Sequence, residues 1–267
     1  MSEAAAHAEI ERLRDLYITT VKRSVGDFLY DFDDKFTRQN QTGFVRVDYQ
    51  TGERREITDY AELKHNGLIA SNVAHTLIGM ERLNQLQTAV ETVLKENIPG
   101  DFIETGVLRG GACVFMRALL KAYGDTQRKV WVADSFQGFP ERQTGRRENA
   151  EVEAWAASLE AVQQVFANYE LLDEQVQFLP GWFCDSLPQA PVETLSILRL
   201  DGDLYISTRD ALQFLYPKVA VGGYVIIDDY YAFDECRAAV REYRKAHGIK
   251  TALVRVDPVC VYWRKEA

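Results

Sequence analysis

A chain of 267 residues with 46% hydrophobic content is long enough to bury a sizeable core, as one large domain or two small ones. A formal net charge of −9, with no run of lysine or arginine to offset it, argues against a nucleic-acid backbone as partner. No stretch approaches bilayer-spanning length and the start, MSEAAAHAEIERLRDLY, has early acids and no apolar signal core, so no membrane partner is expected and the cytoplasm is the expected compartment.

In chain order, residues 5–25 carry helix-like apolar spacing through Ile10, Leu13, Leu16, Tyr17 and Val21. The polar, poorly periodic stretch 31–67 reads as a loop, lid or partner-facing segment. A second helix is predicted over 73–94, where Leu77, Met80, Leu83, Leu86, Val90 and Leu94 recur every three or four residues. Together these make a helical and lid extension, residues 1–98, on a core of residues 99–267, the two integrated as one domain.

From Pro99 strand and helix patterns alternate in the βα order of a parallel, doubly wound α/β sheet. Strands are predicted over 101–105, 129–134, 176–180, 195–201 and 223–228. Helices are predicted over 111–123, 159–169, 208–216 and 235–247, with Gly124 and Gly248 as terminating residues and Asp234 as an N-cap. A second lid-like stretch lies at 141–159. After the last helix, TALVRV and VCVYWR leave no room for another helix between them and read as a terminal antiparallel hairpin. Five parallel strands closed by such a hairpin is the order of a class I methyltransferase Rossmann-like sheet and differs from the dinucleotide-binding order. Cys113, Cys184, Cys236 and Cys260 match no zinc-ligand spacing and read as small buried hydrophobes in a reducing compartment.

The stretch DFIETGVLRGGACVF is a strand, a glycine-bearing turn and a helix start, where a Rossmann-like fold meets its cofactor. Gly106, Gly110 and Gly111 do not form G-x-G-x-x-G, and Glu104 would repel a pyrophosphate. A carboxylate there suits a cationic amino acid, which favours a sulfonium cofactor; the plainer alternative is that the glycines only close the turn. Asp134, ending the second strand, can accept from both ribose hydroxyls. Gly181, Trp182 and Phe183 follow the third strand near where an adenine would lie, unless the aromatics are simply core.

Two further strands end in paired acids. LSILRLDGDLY carries Asp201 and Asp203, which point the same way if the chain stays extended, and GGYVIIDDYY ends in Asp228 and Asp229 on the neighbouring strand. Like charges about 4 Å apart repel by roughly 4 kcal/mol at an effective dielectric near 20. A proton, a lysine or a divalent cation could offset this, and no lysine lies close in the sequence. A hard, oxygen-liganded cation is therefore expected, Mg²⁺ first and Ca²⁺ as a substitute, against the alternative that these residues cap helices and face water. Asp201, Asp228 and Asp229 are assigned as ligands. Asp203 is assigned as the base that takes the proton of an acceptor hydroxyl in a methyl transfer.

The stretches AHTLIGMERLNQLQ, PGDFIETGVLRGGACVFMRALLKAYG, RKVWVADSFQGFPE, LLDEQVQFLPGWFCDSLP, LRLDGDLYIST and GGYVIIDDYYAFDECRAAVREYR, in this order, resemble the macrocin O-methyltransferase (TylF) family. The resemblance covers most of residues 74–244 and implies S-adenosylmethionine as donor, Mg²⁺ dependence, a deoxysugar hydroxyl of a glycoside as acceptor, and a homo-oligomer. By the same motifs, Glu104, Gly106, Asp134 and Ser135 bind the cofactor, and Thr76 and Met80 line the donor pocket. His75 could shape the acceptor side or be a satisfied structural histidine. Residues 31–72 and 141–159 depart from the family pattern and should carry acceptor choice. A non-catalytic nucleoside-binding or assembly subunit and an NAD-dependent enzyme are the rival expectations.

Overall fold

A computed structural model describes residues 2–29, 44–47, 54–57, 60–67, 73–139 and 156–267. Seven strands form the central sheet: β3 (Asp101–Thr105), β4 (Val130–Asp134), β5 (Val176–Pro180), β6 (Leu195–Leu200), β7 (Val219–Ile227), β8 (Val254–Arg255) and β9 (Val261–Arg264). Their order is β5-β4-β3-β6-β7-β9-β8, parallel through the first five, with β9 antiparallel to both β7 and β8. This is the sheet expected from the sequence. A separate antiparallel pair, β1 (Phe44–Val47) with β2 (Arg54–Ile57), and a short helix α2 (Tyr60–His65) occur within the stretch read as loop; residues 31–43, 48–53, 58–59 and 141–155 lie outside the described residues.

Alternate residues along each central strand go to opposite faces, and both faces are covered. Phe102, Ile197, Tyr224 and Ile226 join one hydrophobic cluster together with residues of α1 (Glu3–Val25), α3 (Met80–Lys95), α4 (Gly111–Ala122) and α5 (Leu159–Asn168). Ile103, Leu198, Val225 and Ile227 join the other, against α7 (Tyr205–Leu215) and α8 (Asp234–Ala246), while α6 (Phe183–Ser186) follows β5. Near-continuous apolar runs are what a strand buried on both sides requires, each large side chain contributing roughly 1.5–3 kcal/mol by burial.

Three local expectations are corrected. The helix predicted over 73–94 begins only at Met80, because residues 73–79 run as a connector: His75 and Thr76 donate to the Val25 carbonyl, and the His75 carbonyl accepts from Gly111. Asp234 is the first residue of α8 and not its cap; Phe233, in extended conformation, holds that place, and Asp234 instead sets a negative charge at the helix N-terminus. Of the four cysteines, Cys113, Cys236 and Cys260 are buried, but Cys184, on the one-turn α6, is exposed. Gly124 and Gly248 follow the ends of α4 and α8 at φ 70° and 65°, as expected of terminating glycines. No helix among the described residues is long and apolar enough to cross a membrane.

Candidate active site

The carboxyl ends of β3, β4, β6 and β7 are laced together by their own backbones. Gly106 donates to the Ala133 carbonyl, Asp201 to Thr105 and Asp228 to Leu200, each at 2.9 Å, so the parallel ladder continues one step past the strands. Gly106 has φ 83°, and a Cβ there would overlap the Asp201 carbonyl oxygen. Only glycine fits both demands. Gly106→Ala is expected to cost about 2–4 kcal/mol, read as a lower urea midpoint. Gly124→Ala, where nothing lies within 4 Å, tests φ alone and is expected to cost about 1–2 kcal/mol.

Around this turn the structure gathers most of the residues expected to bind a cofactor. Asp134 accepts from the Val107 and Phe136 amides, both at 2.8 Å, and its carbonyl accepts from Gly181 at 2.9 Å. Burial raises the Asp134 pKa despite those amides. Ser135 is buried and donates to the Gly138 carbonyl at 2.8 Å. The connector carrying Thr76 crosses the start of α4 so closely that a Cβ on Gly111 would sit 2.5 Å from the His75 carbonyl carbon. Thr76 is buried there; Met80, half-buried, opens α3. The Phe183 ring lies 3.5 Å from where a Cβ on Gly202 would be, which brings the β5 and β6 loops together. Trp182 caps α6 in extended conformation. The His75 imidazole meets the Tyr169 hydroxyl at 3.0 Å, and that hydroxyl also meets Ser24 at 2.8 Å. Burial, with the Arg109 charge, lowers the His75 pKa.

Glu104, expected to meet the cationic amino-acid end of a cofactor, is already engaged by the protein itself. It is 2% exposed; Cys113 Sγ donates to its Oε2 at 2.9 Å and Arg199 donates to its Oε1. Strand register explains the arrangement: Glu104 pairs with Arg199 across β3 and β6, Arg199 pairs with Ile226 across β6 and β7, and Asp228 follows two residues on, along the same face. Burial pushes the Glu104 pKa up to about 7, with Arg199 opposing.

Arg199 donates through Nη1 to Asp201 at 2.8 Å as well as to Glu104, and through Nη2 to Asp228 Oδ1. Arg82, on the inward face of α3, donates to Asp228 Oδ2 and to Asp257 Oδ2, the latter at 2.6 Å. Burial acts to lower both guanidinium pKa values, but the carboxylates outweigh it and raise them. Both oxygens of Asp228 are thus held by arginine. The aspartates whose oxygens converge, all within 4.8 Å of one another, are Asp201, Asp203 and Asp229. The four acids read as one set therefore divide into a trio and one residue locked to two guanidinium groups.

Nor does the chain stay extended through Asp203. The strand ends at Leu200, and Asp203 takes φ 55°, a left-handed conformation that aspartate tolerates better than most, with its amide facing Asp229 Oδ2 at 3.3 Å. Burial, then the charges of Asp203, Asp201 and Asp228, raise the Asp229 pKa well above the usual carboxylate range; burial and Asp228 raise Asp201. Crowded carboxylate oxygens of this kind suit a hard dication.

Residues 14–265 match the family model described as Macrocin-O-methyltransferase (TylF). The chain belongs to the TylF O-methyltransferase family. It is 45% identical over 262 residues to mycinamicin III 3''-O-methyltransferase of Micromonospora griseorubida, covering 95% of this chain and 97% of that one. Over 205 residues it is 52% identical to 8-demethyl-8-(2,3-dimethoxy-alpha-L-rhamnosyl)-tetracenomycin-C 4'-O-methyltransferase of Streptomyces olivaceus, covering 73% and 77%. The solved structure of the O-methyltransferase NovP matches with a TM-score of 0.81 at 41% identity, over 95% of this chain and 100% of that one. TylF membership identifies an O-methyltransferase with a class I fold and removes the nicotinamide and non-catalytic alternatives.

Sequence reasoning missed Arg82, Arg199 and Asp257. A signal for the first two was present: Arg199 interrupts the apolar run LSILRL two residues before Asp201, and Arg82 shares the apolar face of its helix with Leu86 and Val90. Charges in such places persist only when paired.

Proposed function

We propose that this O-methyltransferase moves the methyl group of S-adenosylmethionine onto a sugar hydroxyl of a glycosylated natural product, with Mg²⁺ held at the aspartate trio. The convergence of Asp201, Asp203 and Asp229 within 4.8 Å, beside the crevice of Gly106 and Asp134, carries the reading. The named acceptors of the tetracenomycin relative (a rhamnosyl group) and of the mycinamicin relative support the acceptor class. Assembly of identical copies in the cytoplasm belongs to the same reading, and light scattering tests the assembly.

Roles follow from the partners each acid already has. Asp201 and Asp229 would be the principal cation ligands; Asp228, expected as a third, could contribute only by releasing an arginine. When bound, the cation supplies Lewis acidity that lowers the acceptor hydroxyl's pKa. Asp203 takes that proton, the new oxygen–carbon bond forms, and the sulfur–carbon bond breaks with its electron pair leaving on S-adenosylhomocysteine. Asp134 and Ser135 orient the nucleoside, Gly106 and Gly181 let the backbone approach it, and Thr76, Met80 and Phe183 close its sides. Glu104 acts on the donor's amino end only from beneath, through its buried charge.

The deciding experiment supplies labelled donor and a panel of macrolide and rhamnosylated acceptors, with EDTA and Mg²⁺ add-back. Label must reach a sugar oxygen and must stop on chelation. Transfer that EDTA leaves untouched would sink the cation role, and silence across the whole panel would sink the acceptor class. Without any acceptor, saturating Mg²⁺ at about 100 times its Kd is expected to stabilise the fold by about 2.7 kcal/mol, a rise of roughly 5 °C in Tm by scanning calorimetry. That gain should shrink as pH falls, because the raised pKa of Asp229 lets a proton take the cation's place.

A further inference from the structure

The terminal hairpin has no place in the chemistry above, yet one of its side chains is wired to it. Asp257 sits in the turn between β8 and β9 with its side chain wholly buried. Its Oδ1 accepts from the Val259 and Cys260 amides, both at 2.8 Å, which leaves Oδ2 facing Arg82 Nε at 2.6 Å. Arg82 also donates through Nη1 to Asp228 and through Nη2 to the Asn66 carbonyl, the latter at 3.3 Å just beyond α2. Asp228 in turn meets Arg199, which meets Asp201. An unbroken alternation of sign, Asp257, Arg82, Asp228, Arg199, Asp201, thus runs from the far edge of the sheet to the trio.

We propose that Asp257 and Arg82 are positioning residues of the aspartate site: Asp257 holds and neutralises Arg82, and Arg82 keeps Asp228 turned away from the trio, so that the two together set how tightly the trio binds a dication. The inference rests on the cation reading above and extends it to residues that touch neither cation nor substrate. It makes a prediction of opposite signs. Asp257→Asn retains the turn, because the amide oxygen can still accept from Val259 and Cys260, but it removes one of the two negative charges that face Arg82, leaving Asp228 alone to offset it, and the more positive local field opposes a nearby dication. Arg82→Met removes that charge and frees one oxygen of Asp228 to turn inward.

Mn²⁺ alone, titrated into the full-length protein and followed by electron paramagnetic resonance, reads the effect without turnover. Asp257→Asn is expected to bind roughly tenfold more weakly than wild type and Arg82→Met roughly tenfold more tightly. Both should lower kcat with the donor KM unchanged. If the two variants shift Mn²⁺ affinity in the same direction or leave it alone while Tm falls, Asp257 and Arg82 only brace the fold and the inference is overturned. Should Arg82→Met fail to fold, Asp257→Asn decides by itself, since unchanged affinity there is fatal. A wild-type protein that takes up no Mn²⁺ would instead bring down the cation reading, and this inference with it, before any variant is compared.

Discussion

Replacing Arg199 by methionine is expected to lower stability by about 3–5 kcal/mol, a fall of roughly 5–9 °C in Tm. Arg199 is 1% exposed and donates to Glu104, Asp201 and Asp228. Methionine fills much of the same volume, so little of the loss would come from a cavity. What remains is two buried acids, Glu104 and Asp228, with a half-buried third, Asp201, and taking one partner from a buried ion group leaves the others with their desolvation cost. Arg199→Lys keeps the charge but loses the planar fork that reaches three carboxylates at once, and should fall between the two. Glu104 offers an internal check, since its pKa, already raised to about 7, must rise further once the opposing guanidinium is gone. Calorimetry on both variants decides: a methionine variant as stable as wild type would mean that these acids are protonated in the fold and that the ion group has been misread.

Asp203→Asn is expected to lower kcat by about 10²–10⁴-fold while the donor binds within about twofold of wild type. The substitution is nearly isosteric, asparagine accepts left-handed φ as readily as aspartate, and the residue lies on a loop outside both hydrophobic clusters, so Tm should barely move. Under the roles proposed here, Asp201→Asn and Asp229→Asn behave differently: activity returns partly at higher Mg²⁺, because affinity for the ion is what they lose. Single-turnover rates across a Mg²⁺ series separate the two patterns. An Asp203→Asn enzyme that recovers with added Mg²⁺ would make Asp203 a ligand and leave the base unassigned.

The sheet was legible because its information is local and periodic. Runs such as LSILRL and YVII are apolar on both faces, helices of about three turns intervene, and TALVRV with VCVYWR has no helix between, which leaves little choice of topology. Position was legible for the same reason, since Asp134, Asp201 and Asp228 each stand at a strand's carboxyl end. Orientation was not. Whether Asp228 faces a ligand or an arginine depends on which residue of α3, 146 positions earlier, packs over β7, and no spacing within GGYVIIDDYY records that. No lysine stands near these acids in the sequence, and the neutralising groups are one arginine inside a strand and another on a distant helix. The connector 73–79 misled in a similar way: its leucine and valine fit a helical stripe, but its backbone hydrogen bonds are spent on Val25 and Gly111.

Because Glu104, Arg199 and Asp228 project to one side of the sheet, the opposite side, where Leu198, Val225 and Ile227 meet α7 and α8, carries no part of the ionic circuit. Those three positions are free to be redrawn. Volume-matched libraries at those positions could raise heat tolerance without retuning the reaction, and would give anyone retargeting this scaffold to new acceptors a reserve of stability to spend on the other side.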